Sequence, residues 1–359
     1  MSYPDTISLA PGHDQLTAIL RHDLVQKIKP KENAQHYYGH GKLLLSGEYF
    51  VLDGALALTL PVRFGQTLTV DYRPSYNPIL TWKSYDVNKS CWFESHFEFW
   101  RFRCVDENPT PGALLLQEIF QQVRRQNPHF LRDEVDVLVE TNLEFPRHWG
   151  LGSSSTLIYN IAQWAYISPF ELLFNTIGGS GYDIACAQSN GAILFQNKDK
   201  IPFWAPVNFD PSFKDQLFLL YLGEKASTKD GIRQFRKKDY NQSKIIPLIS
   251  ELTQAMTAAM TLEDFAQALR HHEEIVGAVL DQVPIKYRLF DDYSGEVKSL
   301  GAWGGDFALV TVPPLGRAQS EAVSLAQRYF RQKGLGIFIP YSEMILAENR
   351  LEGGDGPIQ

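Results

Sequence analysis

Residues 146–156 read Pro-Arg-His-Trp-Gly-Leu-Gly-Ser-Ser-Ser-Thr and run straight into an apolar-periodic segment, Leu157, Ile158, Ile161, Ala162 and Ala165. Glycines let a backbone approach an anion closely, and the N–H groups of a first helical turn then point at it. Gly150, Leu151, Gly152, Ser153, Ser154 and Ser155 therefore form a candidate phosphate site. Their spacing fits neither the Walker lysine pattern nor the dinucleotide glycine fingerprint. The alternative is an ordinary glycine-capped loop before a helix. A second cluster, Gly178-Gly-Ser-Gly181, precedes Asp183 and the apolar Ile184-Ala-Cys186. A carboxylate there could take or orient the proton of a substrate hydroxyl. An aspartate beside glycines is also a common helix cap. Two more segments stand out: Gly39-His-Gly-Lys42 through Ser46-Gly-Glu48 to Asp53-Gly54, and Lys298-Ser-Leu-Gly301-Ala-Trp-Gly304-Gly-Asp306.

Holding these residues in place calls for alternating strands and helices. Val135–Glu140 alternates and is β-branched, so it reads as the strand entering the glycine-serine turn. Strand-like runs also cover Lys42–Leu45, Leu56–Leu60, Thr67–Tyr72, Cys91–Phe97 and Gly191–Phe195. Helices are expected at Ala113–Arg124 and, behind the Ser168-Pro169 cap, at Phe170–Phe174. The polar, proline-bearing stretch from Asn197 to Asp215 reads as a domain boundary. Beyond it come a strand (Gln216–Leu222), two helices (Ile245–Met260 and Leu262–Val279), a strand (Phe307–Val312), a helix (Arg317–Gln332) and a strand (Gly336–Ile339). Thr261-Leu-Glu-Asp264 approximates a capping box for the second of those helices. The class is α/β or α+β.

Taken in order, these segments resemble the GHMP kinases, the family of galactokinase, homoserine kinase, mevalonate kinase and phosphomevalonate kinase. The resemblance runs from about residue 38 to about 345. It implies an α+β, two-domain fold: a domain like the second domain of ribosomal protein S5 over 37–210, and a ferredoxin-like domain over 211–348. The same resemblance implies transfer of the γ-phosphoryl group of ATP, with Mg2+, to a small anionic metabolite. Gly150 to Ser155 would hold the nucleotide phosphates, and the Ser154 hydroxyl would face the magnesium. Asp183 would be the catalytic carboxylate, with Lys42 as its matching cation. Glu171 would be a second magnesium ligand, although its spacing to Asp183 is one residue off the mevalonate kinase pattern. Glu48 corresponds to a family glutamate near the substrate. The loop Gly223-Glu-Lys225-Ala-Ser227-Thr228 resembles phosphomevalonate kinases, as does the late cluster with Gly301, Gly304 and Asp306. His40 and Trp303 depart from the family pattern, and Trp303 must pack outward or reshape the acceptor pocket. A sugar or homoserine kinase, a diphosphomevalonate-type decarboxylase and an inactive nucleotide-binding regulator are the alternatives.

Composition narrows the partners. The chain has 359 residues, 44% hydrophobic and 21% charged, and a net charge of −7. That balance describes a globular protein of two-domain size and disfavours a nucleic-acid surface. Cys91, Cys104 and Cys186 form an odd, scattered set that reads as free thiols, with Cys186 buried on the helix after Asp183. No apolar run reaches the length of a membrane span, and the first residues lack a basic-then-apolar signal, so a cytoplasmic monomer or homodimer is expected. Residues 1–36 lie outside the resemblance, with Leu16, Ile19, Leu20, Leu24 and Ile28 at helical spacing, and residues 349–359 read as a mobile tail. The run His271-His-Glu-Glu274 lacks a zinc-helix pattern and reads as an exposed helix face.

Overall fold

The computed structural model describes residues 34–132, 135–223, 228–301, 303 and 306–347. The helical segment expected before residue 34, the tail after 348, and Lys225, Ser227 and Gly304 lie outside the described residues, as do the side chains of 228 and 229.

The first sheet is assembled from β1 (Gln35–Ser46), β2 (Ala57–Pro74), β3 (Ile79–Tyr85), β4 (Cys91–Glu98), β5 (Val135–Leu143), β6 (Ile193–Lys198) and β7 (Ile201–Pro206). Its order is β4-β3-β5-β2-β6-β7, with β1 also paired to β2. Only β3 and β5 run parallel. The two strands expected at 56–60 and 67–72 are one 18-residue strand. Pro61 lacks an N–H, but its carbonyl still accepts from Leu346 N–H at 2.9 Å, so the chain passes through it extended. That length lets β2 pair β6 at Ala57–Thr59 and β5 at Gln66–Pro74.

Four helices belong to this sheet: α1 (Pro111–Gln126), α2 (Ser153–Ala165), α3 (Pro169–Phe174) and α4 (Tyr182–Ala187). α1 begins two residues before the expected Ala113, because Thr110 Oγ1 accepts from Ala113 N–H and a proline occupies its first turn. Its buried residues, Ala113, Leu116, Ile119, Phe120 and Val123, recur at three- and four-residue spacing on one face. Phe120 meets the rings of Trp82, Phe97, Phe102 and Trp164, so it ties α1 to β3, β4 and α2.

The second sheet has the order β11-β8-β10-β9, from β8 (Leu217–Tyr221), β9 (Val297–Leu300), β10 (Phe307–Thr311) and β11 (Phe338–Pro340). Around it lie α5 (Thr228–Phe235), α6 (Gln242–Ala258), α7 (Leu262–Leu280), α8 (Ile285–Leu289), α9 (Gln319–Gln332) and α10 (Tyr341–Met344). The expected boundary at 197–215 holds the β6–β7 hairpin, and the passage between the sheets falls after Pro206. One core cluster is common to both sheets: Leu58, Leu60, Leu143, Trp149 and Leu151 pack with Leu219, Tyr221, Phe265 and Phe307. The glycine-serine turn is therefore roofed by the second sheet. No helix among the described residues is long and apolar enough to cross a membrane.

Phe120→Ala removes the ring on which four aromatic contacts converge and leaves a cavity. Urea unfolding should show a loss of about 3–5 kcal/mol. A loss below about 1 kcal/mol would mean that this cluster is not the anchor of α1.

Candidate active site

β5 delivers the chain to Phe145 and Trp149, both buried, and the turn follows. Gly150 (φ 66°) and Gly152 (φ 87°) adopt left-handed backbone conformations that favour glycine. A side chain would also be crowded: a Cβ on Gly150 would lie 2.1 Å from Asp306 Oδ2 and displace that carboxylate, and one on Gly152 would lie 3.1 Å from Lys42 Cγ. Leu151 is fully buried between them, and its carbonyl accepts from Lys42 N–H at 2.9 Å.

Gly152 caps α2 and offers no side chain to its first N–H groups. The N-terminus of this 13-residue helix is thus free to receive an external acceptor. Its serines divide by direction. Ser154 is exposed, whereas Ser155 is buried and donates to Asp183 Oδ2 at 3.0 Å. The next residue, Thr156, donates its Oγ1 hydrogen to Gln66 Oε1 at 2.7 Å, and one turn further on Asn160 Nδ2 donates to Gln66 O at 2.8 Å. These bonds pin the helix to β2.

Asp183 lies in the first turn of α4, behind Gly181 (φ 95°). Gly181, not Asp183, is the cap residue, and the carboxylate reaches across to α2. A bulge in β1 between His40 and Lys42 turns the lysine toward the same place. Its Nζ donates to Gly150 O at 3.1 Å and stands 5.6 Å from the Tyr182 ring centroid. Among the described residues Lys42 and Asp183 are not an ion pair, but both border one space beside the α2 N-terminus. Cys186 is fully buried on α4 as expected, and burial pushes its thiol up to about 12. His40 packs edge-on to Tyr38 and its Nδ1 lies 3.3 Å from Val62 O.

Of the late cluster, Gly301 (φ 72°) follows β9 directly and Asp306 (φ 56°) overlies Gly150. Trp303 packs inward beside Gly277, and its N–H donates to Tyr49 Oη at 3.1 Å. Glu171 is exposed in the first turn of α3, with its N–H held by Ser168 Oγ. Thr228 begins α5.

Glu48 is 1% exposed and buried against the Lys298 ammonium. One expectation needs correction. The run 271–274 is not an exposed face, because His272 and Glu273 are buried. They point from α7 at Glu48 and Lys298, which is itself fully buried. Lys298 Nζ donates to the Glu48 carboxylate and to Ser299 O at 2.9 Å, and lies 3.4 Å from Glu273 Oε1. His272 Nε2 accepts from Gly47 N–H at 3.0 Å, so its proton belongs on Nδ1. Burial first, then Lys298, holds His272 well below the ordinary histidine value, while burial raises Glu48 and lifts Glu273 to about 7. The sequence did carry a sign of this. Phe265, Leu269, Val276 and Leu280 mark the buried stripe of α7, and residues 272 and 273 occupy its missing turn. Lys298, in the apolar strand Val297–Leu300, had no such sign beyond its apolar neighbours.

No protein-family model matches this chain, and no curated protein matches its sequence. Solved structures do resemble it. Methanococcus jannaschii mevalonate kinase superposes with a TM-score of 0.63 at 13% identity, over 86% of this chain and 98% of that one. Streptococcus pneumoniae phosphomevalonate kinase, in complex with phosphomevalonate and AMPPNP, gives 0.60 at 18% identity over 84% and 97%. Lactococcus lactis galactokinase complexed with galactose gives 0.59 at 11% identity over 93% and 98%. The chain shares the two-sheet α+β fold of these structures.

The buried histidine predicts a pH dependence. His272 stays neutral in the folded chain, whereas in the unfolded chain it gains a proton below about 6.5. Its contribution is therefore present above that pH and is lost as pH falls. Melting temperatures measured from pH 8 to pH 5 should fall less steeply for His272→Gln than for the parent. Glu48 and Glu273 act in both proteins and drop out of the difference. Parallel curves would contradict a neutral buried imidazole.

Proposed function

We propose that this chain is an ATP-dependent small-molecule kinase that transfers the γ-phosphoryl group to an alcohol or phosphate oxygen of a small anionic metabolite. Mevalonate or phosphomevalonate is the favoured acceptor. One observation carries the reading: an uncapped, glycine-led helix N-terminus, a lysine and a serine-bound aspartate border the same space. Phosphoryl transfer needs little else from a protein beyond held phosphates, neutralised charge and an aligned attacking oxygen. The fold shared with kinases of mevalonate, phosphomevalonate and galactose supports it.

In this reading the N–H groups from Gly150 to Ser155 bind the β- and γ-phosphates, aided by the positive end of α2. The acceptor oxygen attacks the γ-phosphorus, the bond from that phosphorus to the ADP oxygen breaks, and the acceptor proton passes to Asp183 or is oriented by it. Ser155 holds that carboxylate in place, and Lys42 offsets negative charge at the reacting oxygens. The exposed hydroxyl of Ser154, a hard oxygen at the head of α2, suits magnesium, with Glu171 as the proposed acidic partner. Bound there, magnesium would neutralise phosphate charge. Asp306 and Gly301, with Lys225, Ser227, Thr228 and Gly304, are proposed for the acceptor side, and His40 and Trp303 for its departures from related pockets. We place the nucleotide and acceptor between the units 37–210 and 211–348.

ADP release should be measured with mevalonate, 5-phosphomevalonate, 5-diphosphomevalonate, homoserine and several sugars. One accepted substrate, with turnover reduced at least about 10²-fold in Asp183→Ala and ATP affinity kept within about threefold, is the expected result. Carbon dioxide release with 5-diphosphomevalonate would indicate a decarboxylase instead. ATP binding without turnover on any acceptor would point to a regulator. Ser154→Ala should raise the magnesium concentration needed for half-maximal rate by about tenfold. An unchanged magnesium dependence would remove Ser154 from the metal.

A further inference from the structure

Four consecutive residues, Ser46 at the end of β1 and the three that follow it, each hold a different part of the second half of the chain. Ser46 Oγ hydrogen-bonds Thr253 Oγ1 of α6 at 2.9 Å, and Gly47 N–H donates to His272 of α7 at 3.0 Å. Glu48 accepts from Lys298 of β9, and Tyr49 Oη accepts from Trp303 N–H at 3.1 Å. The turn is conformationally costly as well. Tyr49 has φ 60°, a left-handed backbone that a bulky residue keeps only when its surroundings impose it. Phe235 stacks on the Tyr49 ring at 5.4 Å and supplies part of that surrounding.

What this turn holds lies next to the chemistry. Lys298 is three residues before Gly301, and Asp306 at the other end of the cluster sits against Gly150. On the near side, Ser46 ends the strand that carries Lys42. One short segment therefore links the Lys42 strand to β9 and Trp303, in the stretch that leads to Asp306 against Gly150.

We propose that Glu48, Lys298 and Tyr49 are positioning residues, whose contacts set where Gly301 and Asp306 stand over the Gly150 turn and thereby set acceptor affinity. The kinetic consequence rests on the phosphotransfer reading; the positional one does not. None of the three is required to touch the acceptor. Glu48 and Lys298 are sealed from solvent, so their effect must pass through the backbone that they hold.

Two variants separate positioning from simple stabilisation. Glu48→Gln with Lys298→Met removes both charges of that pair together, and Glu273, which loses its cation, is left to take up a proton. Tyr49→Phe removes only the hydroxyl that receives Trp303 N–H, and it carries the test should the double variant fail to fold. Amide exchange at Gly301 and Asp306, which Tyr49 does not hydrogen-bond, is read in the free protein. It should quicken by about tenfold in each folded variant. Acceptor KM should rise by about tenfold, with kcat and ATP affinity within about twofold of the parent. Unchanged exchange in a folded variant overturns the proposal. So does a lowered melting temperature with acceptor KM intact, since that marks the contacts as structural only. If the parent phosphorylates no acceptor, the kinase reading falls, and exchange alone still decides the positional claim.

Discussion

A lysine ammonium sealed from solvent constrains everything near it. Removing one partner of such a pair typically costs about 3–5 kcal/mol, because the other charge is left in a medium that cannot solvate it. Lys298 meets that demand with two carboxylates, Glu48 and Glu273, and a carbonyl. The groups come from β9, α7 and the turn after β1, so the elements must arrive together. The shared apolar cluster from Leu58 to Phe307 supplies the driving force, and the charged group adds direction to it. Apolar burial tolerates small slides between sheets. An ion pair with a histidine acceptor beside it tolerates much less.

That rigidity matters because the site is assembled from three separate turns. The helix N-terminus supplies backbone donors, β1 supplies Lys42 through a bulge, and α4 supplies Asp183. Each carries a local device that sets its angle: Gly152 before α2, the irregular register at residue 41, and Gly181 before α4. Ser155 then joins two of them directly. Lys42 and Asp183 each hydrogen-bond to the glycine-serine segment, at Gly150 and Ser155, and not to each other.

Much of the architecture could be read in the chain. Ser168-Pro169 starts α3 as expected, α1 lies where a helix was expected but begins two residues earlier, and the strand before the glycine-serine turn is where its alternation puts it. The long strand through Pro61 was not legible, because whether a proline ends a strand depends on which neighbour would have needed its N–H. Nor was the inward packing of Trp303, whose direction is set by the gap beside Gly277 and the Tyr49 hydroxyl.

The site divides in the same way. Backbone-permissive glycines, clustered serines and an aspartate behind a glycine turn announce themselves in sequence, since local conformation depends on neighbouring residues alone. By themselves these residues determined a candidate anion site and a candidate carboxylate. Only the tertiary structure decided that Ser155 faces Asp183 while Ser154 faces solvent, and that Glu48 meets Lys298. The joining of groups 225 and 250 residues apart, Gly47 N–H with the His272 imidazole and Glu48 with Lys298, follows from which surfaces the two sheets bury against each other, and no local pattern encodes that choice.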